Sequence, residues 1–401
     1  MNLFRVTGRA GKIAAAVAAM LRVSTAFGTT LRVANYNIDA DVTSGSTGSL
    51  MNASALETVL EGIGSSHLSD NGTAHAQPLD VLALEEVSST SNSGSGPSTP
   101  SASMLQTIVN NLNATYGAGV YAFDSTMDPT TGSTGGGPSA LIYNTNTVKL
   151  ISATPLGTDS GSGAARAPMQ YVLQPAGYGT AGNFYLDVSH MKSGTVGEAA
   201  SNPTRRNVEA TTIVNNLASL GSTAHLISAG DFNITADSSE QTYKTLISQL
   251  TDVANPANNW TDSSTFAGLL SESATAVDYR DDMQLLSAAA TSSSGVPGLQ
   301  YDNGSYTVFG NGGAASLYGK SVTSSSNTGV FSDMTPSQAS AILTAETEAT
   351  DHLPIVADYD IVGLPAPEPT APSLLLVGLT LGLRQRRRRD QQMDPPRISP
   401  A

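Results

Sequence analysis

The sequence predicts a mixed α/β domain built on a pair of β-sheets, and three observations carry that reading. Of the 401 residues, roughly 335 remain once two compositionally odd ends are set aside, large for one domain but suited to a two-sheet α+β (α/β) core. Short β-rich runs are interleaved with segments of helical spacing through the whole middle of the chain. Polar residues recur where those runs end, which is how a site is assembled along one rim of a sheet pair. With 39% hydrophobic and 5% aromatic residues and 38 Gly, the core is lean and carries many loops.

Taken in order, Arg5, Arg9 and Lys12 precede the apolar run 13–21, and Ser24-Thr25-Ala26 supplies small residues for cleavage. Residues 1–26 therefore read as a secretory signal peptide. Residues 31–38 alternate and form a strand, whereas 53–63 place Leu56, Val59, Leu60 and Ile63 at helical spacing. The stretch 80–87 is nearly continuous and apolar until two glutamates, as in a buried strand whose end emerges at a sheet edge. A Ser/Gly/Pro loop over 88–103 leads into a helix over 104–112. Strands are expected at 120–123, 140–143, 148–152, 169–173 and 184–190, separated by Gly-rich turns such as 132–138. A helix over 207–220 is followed by a strand over 225–229 that runs into Gly230-Asp231-Phe232-Asn233. Strands at 283–286 and 355–361 complete a domain spanning 31–362, and between them the Ser/Gly/Ala-rich segment 288–350 reads as a mobile insertion. Beyond the domain, Pro367-Glu368-Pro369 is followed by the apolar stretch 371–383 and by Arg384-Gln385-Arg386-Arg387-Arg388-Arg389. In order and composition, 363–389 resembles the PEP-CTERM sorting signal, with 390–401 as a tail. That resemblance implies an exported protein at the cell envelope, its surface or beyond. It also implies transient membrane contact through the apolar segment and an exosortase-like processing enzyme beside the export machinery.

Charge and composition exclude several functions. Between residues 31 and 367, nine Lys and Arg stand against thirty Asp and Glu, so the domain has no long-range attraction for polyanions. A nucleic acid or phospholipid substrate would need local or metal-borne positive charge. With no Cys, a disulfide scaffold, Cys-ligated zinc and a thiol nucleophile are ruled out. There is no His-x-x-x-His pair, no phosphate-cradling Gly-x-x-x-x-Gly-Lys loop and no Gly-x-Ser-x-Gly elbow.

The candidate motifs are individually bland. A Gly-Asp-x-Asn turn is more often an Asx turn than a site, and an Asp-His pair is more often a local hydrogen bond. Their order changes the odds. Asn37-Ile38-Asp39, the run from Asp80 to Glu85-Glu86-Val87, and Ser189-His190-Met191-Lys192-Ser193 are followed by Gly230-Asp231-Phe232-Asn233, Arg280-Asp281-Asp282 and Thr350-Asp351-His352-Leu353-Pro354. In identity and sequence order these resemble the motifs of the endonuclease/exonuclease/phosphatase superfamily, which includes deoxyribonuclease I.

The resemblance implies a four-layer sandwich of two packed mixed β-sheets flanked by helices, deoxyribonuclease I-like, with the site at one rim. It implies Mg²⁺, with Mn²⁺ or Ca²⁺ as alternatives, because the ligands are oxygen donors. Glu86 matches the principal metal ligand, with Asn37, Asp39 and Asp351 completing the metal side. His352 matches the catalytic histidine and Asp282 the carboxylate that orients it. Asp231 and Asn233 match residues that position the attacking water and bind a phosphoryl oxygen. His190 matches a second histidine that donates to the phosphate, and Arg166 matches a phosphate-contacting arginine. In two places the sequence departs from the family. Glu85 stands where the family has Gln, which would raise divalent-ion affinity if it also ligates, and Asp281 competes with Asp282 for the orienting role, although register favours Asp282.

Three functions compete. The first is an exported metal-dependent phosphodiesterase, most simply a nuclease acting on DNA as a monomer. The second is a phosphomonoesterase or phospholipase-type member acting on inositol phosphates, nucleotides or sphingomyelin. The third is a non-catalytic surface module, which the competent side chains at every matched position disfavour. Because 288–350 is anchored beside Asp282 and Asp351, it is expected to overhang the site and restrict substrate size.

Overall fold

The computed structural model describes residues 30–39, 52–70, 73–87, 101–126, 138–160, 162–195 and 197–364. The signal peptide expected at 1–26, the turn at 132–137, most of the loop at 88–103, the sorting signal beyond Leu364 and the tail at 390–401 lie outside them. Among the described residues no helix is long and apolar enough to cross a membrane.

In chain order the described elements begin with β1 (Thr30–Asn37), α1 (Ala53–Ser65), the hairpin β2 (His67–Asp70) and β3 (Thr73–Ala76), β4 (Val81–Glu85), α2 (Ala102–Tyr116) and β5 (Tyr121–Asp124). There follow β6 (Ala140–Asn144), β7 (Val148–Pro155), β8 (Met169–Pro175), β9 (Phe184–His190), α3 (Asn202–Leu220) and β10 (Leu226–Asp231). The last third holds α4 (Gln241–Ile247), β11 (Leu250–Thr251), β12 (Asp282–Ser287), β13 (Gly298–Tyr301), β14 (Thr307–Val308), α5 (Pro336–Ala349) and β15 (Ile355–Val362).

Two mixed sheets result. The first has the order β13-β15-β1-β4-β6-β5, with β14 also on β15, and the second has the order β11-β12-β10-β9-β8-β7. Strand alternation sorts the side chains between faces. Val33, Val81, Ala83 and Ala357 of the first sheet meet Leu186, Val188, Ile227 and Leu286 of the second in a shared core. The opposite residues Ala34, Tyr36, Leu82 and Leu84 lie under α1, α2 and α5. Leu226, Met283 and Leu285 lie under α3 and α4, where Ile213, Leu217, Tyr243 and Trp260 complete the layer. The architecture is the expected four-layer sandwich of two mixed sheets with helices outside both.

Strand direction decides where the chemistry gathers. β1 and β4 run parallel, as do β9 and β10, so Asn37, Glu85, His190 and Asp231 end their strands together. β12 and β15 run antiparallel to these neighbours, so Asp282 at the start of β12 and His352 just before β15 arrive at the same rim. In register, Asn37 lies opposite Glu85, and Asp231 lies between His190 and Asp282.

The segment 288–350 corrects the expectation of a mobile insertion. β13 and β14 pair with β15 in the first sheet, and α5 packs on α1, where Ile342 closes over Gly62. Helix α5 begins with a capping box, Thr335 accepting from the Gln338 N–H while Gln338 accepts from the Thr335 N–H. Ser- and Ala-rich composition concealed these elements, because small side chains dilute the apolar periodicity that marks a strand or helix. Deleting 288–350 would remove sheet and helix rather than widen a substrate channel.

Candidate active site

The Gly-Asp-x-Asn turn after β10 is built by backbone geometry. Gly230 has φ +130°, and a Cβ there would meet the Ser189 carbonyl oxygen at 2.1 Å, so only glycine fits. Asp231 then accepts the Asn233 N–H at 2.8 Å through Oδ1, an Asx turn, and through Oδ2 accepts from Asn37 Nδ2 at 3.1 Å. The bland and functional readings of this turn therefore hold at once. Glu86 has φ 57°, Asp39 41° and Asn233 50°. Left-handed backbone at three non-glycine residues of one rim is the kind of local strain found at functional sites.

Around Asp231 a first group forms. Asn37 Nδ2 donates to Glu86 Oε1 at 3.1 Å as well as to Asp231, while His190 Nε2 lies 3.5 Å from Glu86 Oε1 and 3.6 Å from Asp231 Oδ2. Ligand atoms of Glu86, His190 and Asp231 all fall within 4.8 Å of one another. Burial pushes Glu86 up to about 8, against the hydrogen bond from Asn37. Burial also raises Asp231 to about 7, and the neighbouring Asp282 and Glu272 add to the rise against the pull of His352. A buried and a partly buried carboxylate so disfavoured, beside an imidazole, form a donor set that fits a divalent cation, whose charge would offset their desolvation and repulsion.

A second group surrounds His352, which is buried. Its Nδ1–H donates to Asp282 Oδ2 at 2.8 Å, and Asp282 Oδ2 also accepts from the Ser271 hydroxyl at 2.7 Å. The Asp282 N–H donates to Ser271 Oγ at 3.0 Å, so Ser271 holds both the carboxylate and the backbone of Asp282. Thr350 ties the loop to β1 by donating to the Asn37 carbonyl and accepting the His352 N–H. His352 Nε2 lies 3.7 Å from Asp351 Oδ1 and shares a ligand-distance group with Asp351 and Glu272. Burial by itself would lower His352, but the charge of Asp282 and its hydrogen bond override it, and the imidazole is held well above 6.5.

Set against the sequence expectations, the pairing of His352 with Asp282 answers the open choice between Asp281 and Asp282. Asp281 instead pairs with Glu272, and burial and that partner raise it well above the carboxylate range. The metal-side set is rearranged. Asn37 presents N–H groups, not oxygen, to the carboxylates, Asp39 lies outside the first group, and Asp351 belongs to the second. His190, expected to donate to phosphate, turns Nε2 toward the two carboxylates instead. Glu85 is fully buried, neither oxygen has a hydrogen-bond partner, and burial raises it far above the usual range, so it is not one of the grouped ligands. The alternation of β4 sends Glu85 between the sheets, and only the left-handed turn at Glu86 brings the next carboxylate to the rim. Arg166 Nη1 donates to the His190 and Met191 carbonyls at 3.0 and 2.6 Å and so braces the end of β9, while its charge acts on Glu86. Arg280 is buried in a bidentate pair with Asp252 over the Trp260 ring, a structural role. Ser271 and Glu272 were missed, since nothing in their Ser/Thr-rich surroundings marks them.

No family model matches the chain, and no curated protein matches it. Among solved structures it is similar to the human Nocturnin catalytic domain, with 17% identity over 84% of this chain and 97% of that one, at a TM-score of 0.46. It is also similar to an endonuclease/exonuclease/phosphatase family protein from Bacteroides thetaiotaomicron, with 13% identity over 83% and 98% of the two chains and a TM-score of 0.47. A mannosyl-6-phosphatase from Bacteroides thetaiotaomicron shows 13% identity over 82% and 99%, with a TM-score of 0.45.

Proposed function

We propose that this chain is an exported, divalent-metal-dependent hydrolase of phosphodiesters in the endonuclease/exonuclease/phosphatase superfamily. The observation that carries the reading is the juxtaposition, on one rim, of a carboxylate-oriented histidine and a separate group of two carboxylates and an imidazole. Asp282 holds Nδ1–H of His352, leaving Nε2 to take a proton from an attacking water, and its charge stabilises the imidazolium that forms. Glu86, Asp231 and His190 would hold the cation, which when bound supplies positive charge to the phosphoryl oxygens. Once the charge of Asp231 is compensated, one of the fields that raise His352 is removed, and the imidazole moves toward the neutral form a base needs. Asn233, whose Nδ2 donates to the Met191 carbonyl at 3.2 Å, steadies the turn that carries Asp231.

The test uses residues 30–364 with Mg²⁺, Mn²⁺ or Ca²⁺, and with EDTA, on plasmid DNA, RNA, bis-p-nitrophenyl phosphate and p-nitrophenyl phosphate. Diester cleavage should fall by about 10²–10⁴-fold in His352→Ala, the range for losing a general base, and vanish with EDTA. Cleavage that survives both would sink the reading. Hydrolysis of the monoester alone would move the protein to the phosphatase branch. Export rests on residues 1–26, and a reporter active only outside the cytoplasm, fused after residue 30, should be active; silence would remove that part.

A further inference from the structure

Helix α3 meets two loops with three buried charged side chains from its first two turns. Arg205 donates to the carbonyls of Ser160 and Gly163 at 2.9 and 3.0 Å, and Arg206 to those of Lys192 and Gly194 at 2.7 and 2.8 Å. Glu209, four residues after Arg205 and so on the same helix face, takes N–H groups from both loops. Its Oε1 accepts from Ala165 and Arg166 at 2.6 and 2.8 Å, and its Oε2 accepts from Lys192 at 3.3 Å. The residue is only 1% exposed. Burial raises it to about 6, against those N–H groups and the charge of Arg166, so at neutral pH the carboxylate is ionised and accepts all three.

The two loops carry the metal side of the rim. One holds Arg166, and the other continues from His190 at the end of β9. Arg166 Nη1 joins them by donating to the His190 and Met191 carbonyls, so Glu209, the Arg166 backbone, its guanidinium and the backbone from His190 to Lys192 form one closed circuit. The circuit is tied onward to the turn of Asp231. The Met191 N–H donates to the Asp231 carbonyl at 2.9 Å, and Asn233 Nδ2 donates to the Met191 carbonyl. The charge of Arg166 also acts on Glu86. Glu86, His190 and Asp231 thus each depend on where this circuit stands. Arg206 neutralises a carboxylate of its own, in a bidentate pair with Glu240, whereas Glu209 directs both oxygens to the backbone of the two loops. A buried carboxylate used in this way holds loop geometry, the task of the groups that stand behind a metal site.

We propose that Glu209 is a positioning residue for the metal side of the rim, fixing the end of β9 against the Arg166 loop and so setting where His190 stands relative to Glu86 and Asp231. The inference rests on the reading of those three residues as the holders of the cation. It gives a residue outside the site control over cation affinity, while the pair of His352 and Asp282, held by Ser271 and Thr350, is left alone.

Glu209→Gln tests this in the full-length protein. The amide oxygen can still accept from Ala165 and Arg166, but the amide nitrogen cannot accept the Lys192 N–H, so the His190 end alone is released. Mg²⁺ affinity, read by calorimetry at neutral pH, should fall by about 10–100-fold, the usual loss when the support behind a metal ligand is removed. In the metal-free protein the imidazole resonances of His190 should shift while those of His352 stay in place. Glu209→Ala releases both loops and should lose more affinity; where it does not fold, Glu209→Gln decides. Wild-type Mg²⁺ affinity in Glu209→Gln would overturn the inference, as would His190 resonances that do not move. Equal movement at His352 would also overturn it, because a residue that only supports the fold disturbs both sides of the rim. If the wild type binds no Mg²⁺, the metal-dependent reading fails, and the metal-free spectra alone decide the role of Glu209.

Discussion

Asp187 shows how one buried carboxylate sets a pH dependence away from the rim. It sits on the outer face of β9 and accepts from Gln170 Nε2 at 2.8 Å, with the Asn216 side chain also acting on it. Burial outweighs the pull of Gln170 and Asn216 and raises it to about 7 from 3.8. The folded state then binds a proton that the unfolded state releases, so stability falls as pH rises from the unfolded value to about 7 and stays low above it. Asp187→Asn removes this loss and should be more stable than the wild type at pH 8 by roughly 1–3 kcal/mol, with little gain at pH 4. Urea titrations at both pH values would show it; an equal effect at the two would refute the assignment. Gly230 makes the opposite kind of prediction, since no side chain fits between it and the Ser189 carbonyl. Gly230→Ala should lose more than 2 kcal/mol, about the upper cost of one strained backbone position plus a displaced neighbour, together with diesterase activity. A variant of wild-type melting temperature and activity would contradict that geometry.

Among the elements, β1 has a double role, since one face feeds the site and the other anchors the helical layer. Arg32, fully buried, forms a bidentate pair with Asp358 of β15 and donates Nη1 to the carbonyls of Ile63 and Ser66 at the end of α1. One guanidinium thus neutralises a buried carboxylate and satisfies carbonyls that the end of a helix leaves open. Arg32→Met should destabilise by about 3–5 kcal/mol, because Asp358 stays buried without its guanidinium partner, and the double variant Arg32→Met/Asp358→Leu should recover part of that. Chemical denaturation of the single and double variants decides the matter; no recovery would mean that the helix-end bonds, not the ion pair, dominate. The same reasoning applies to 288–350, whose strands and helix belong to the first sheet and its cover.

Across the molecule, burial raises several acids, although Glu272 at the rim and Asp252 are lowered. Glu86 at about 8 and Asp231 at about 7 are raised by burial, as are Asp80 and Glu209 at about 6. His352 is also raised, through Asp282 against its own burial, and its contribution is present below 6.5 and lost as pH climbs through the folded value. Glu86, Asp231, Asp80, Glu209 and His352 therefore have the same sign, and without metal the protein should be most stable near pH 5 and lose stability through pH 6–8. A cation competes with protons for Glu86 and Asp231, so stabilisation by Mg²⁺ should be small at pH 5.5 and grow toward pH 8.5. Calorimetry with EDTA and with Mg²⁺ across that range tests this. A melting temperature that rises with pH in EDTA, or a Mg²⁺ effect that is flat with pH, would overturn it.

The sequence alone determined the elements with strong periodicity and the order of the polar motifs. Residues 31–38, 80–87 and 184–190 alternate or run apolar and became β1, β4 and β9; β1 and β9 end in Asn37 and His190 of the rim, and β4 stops one residue short of Glu86. His352 and Asp282 were legible because short motifs flank them, and the preference for Asp282 over Asp281 followed from its place in the motif that the stretch resembles. Only the tertiary structure decided what pairs across the sandwich. It joined Asn37 to Asp231 and Glu272 to His352, separated Asp351 from Glu86, and turned Glu85 inward. It also built β13, β14 and α5 out of a Ser- and Ala-rich stretch. The physical reason is shared by all of these cases. Local periodicity fixes which face of a strand a residue occupies, but distances between strands, and the burial that makes a carboxylate neutral or ionised, exist only once the two sheets have closed on each other.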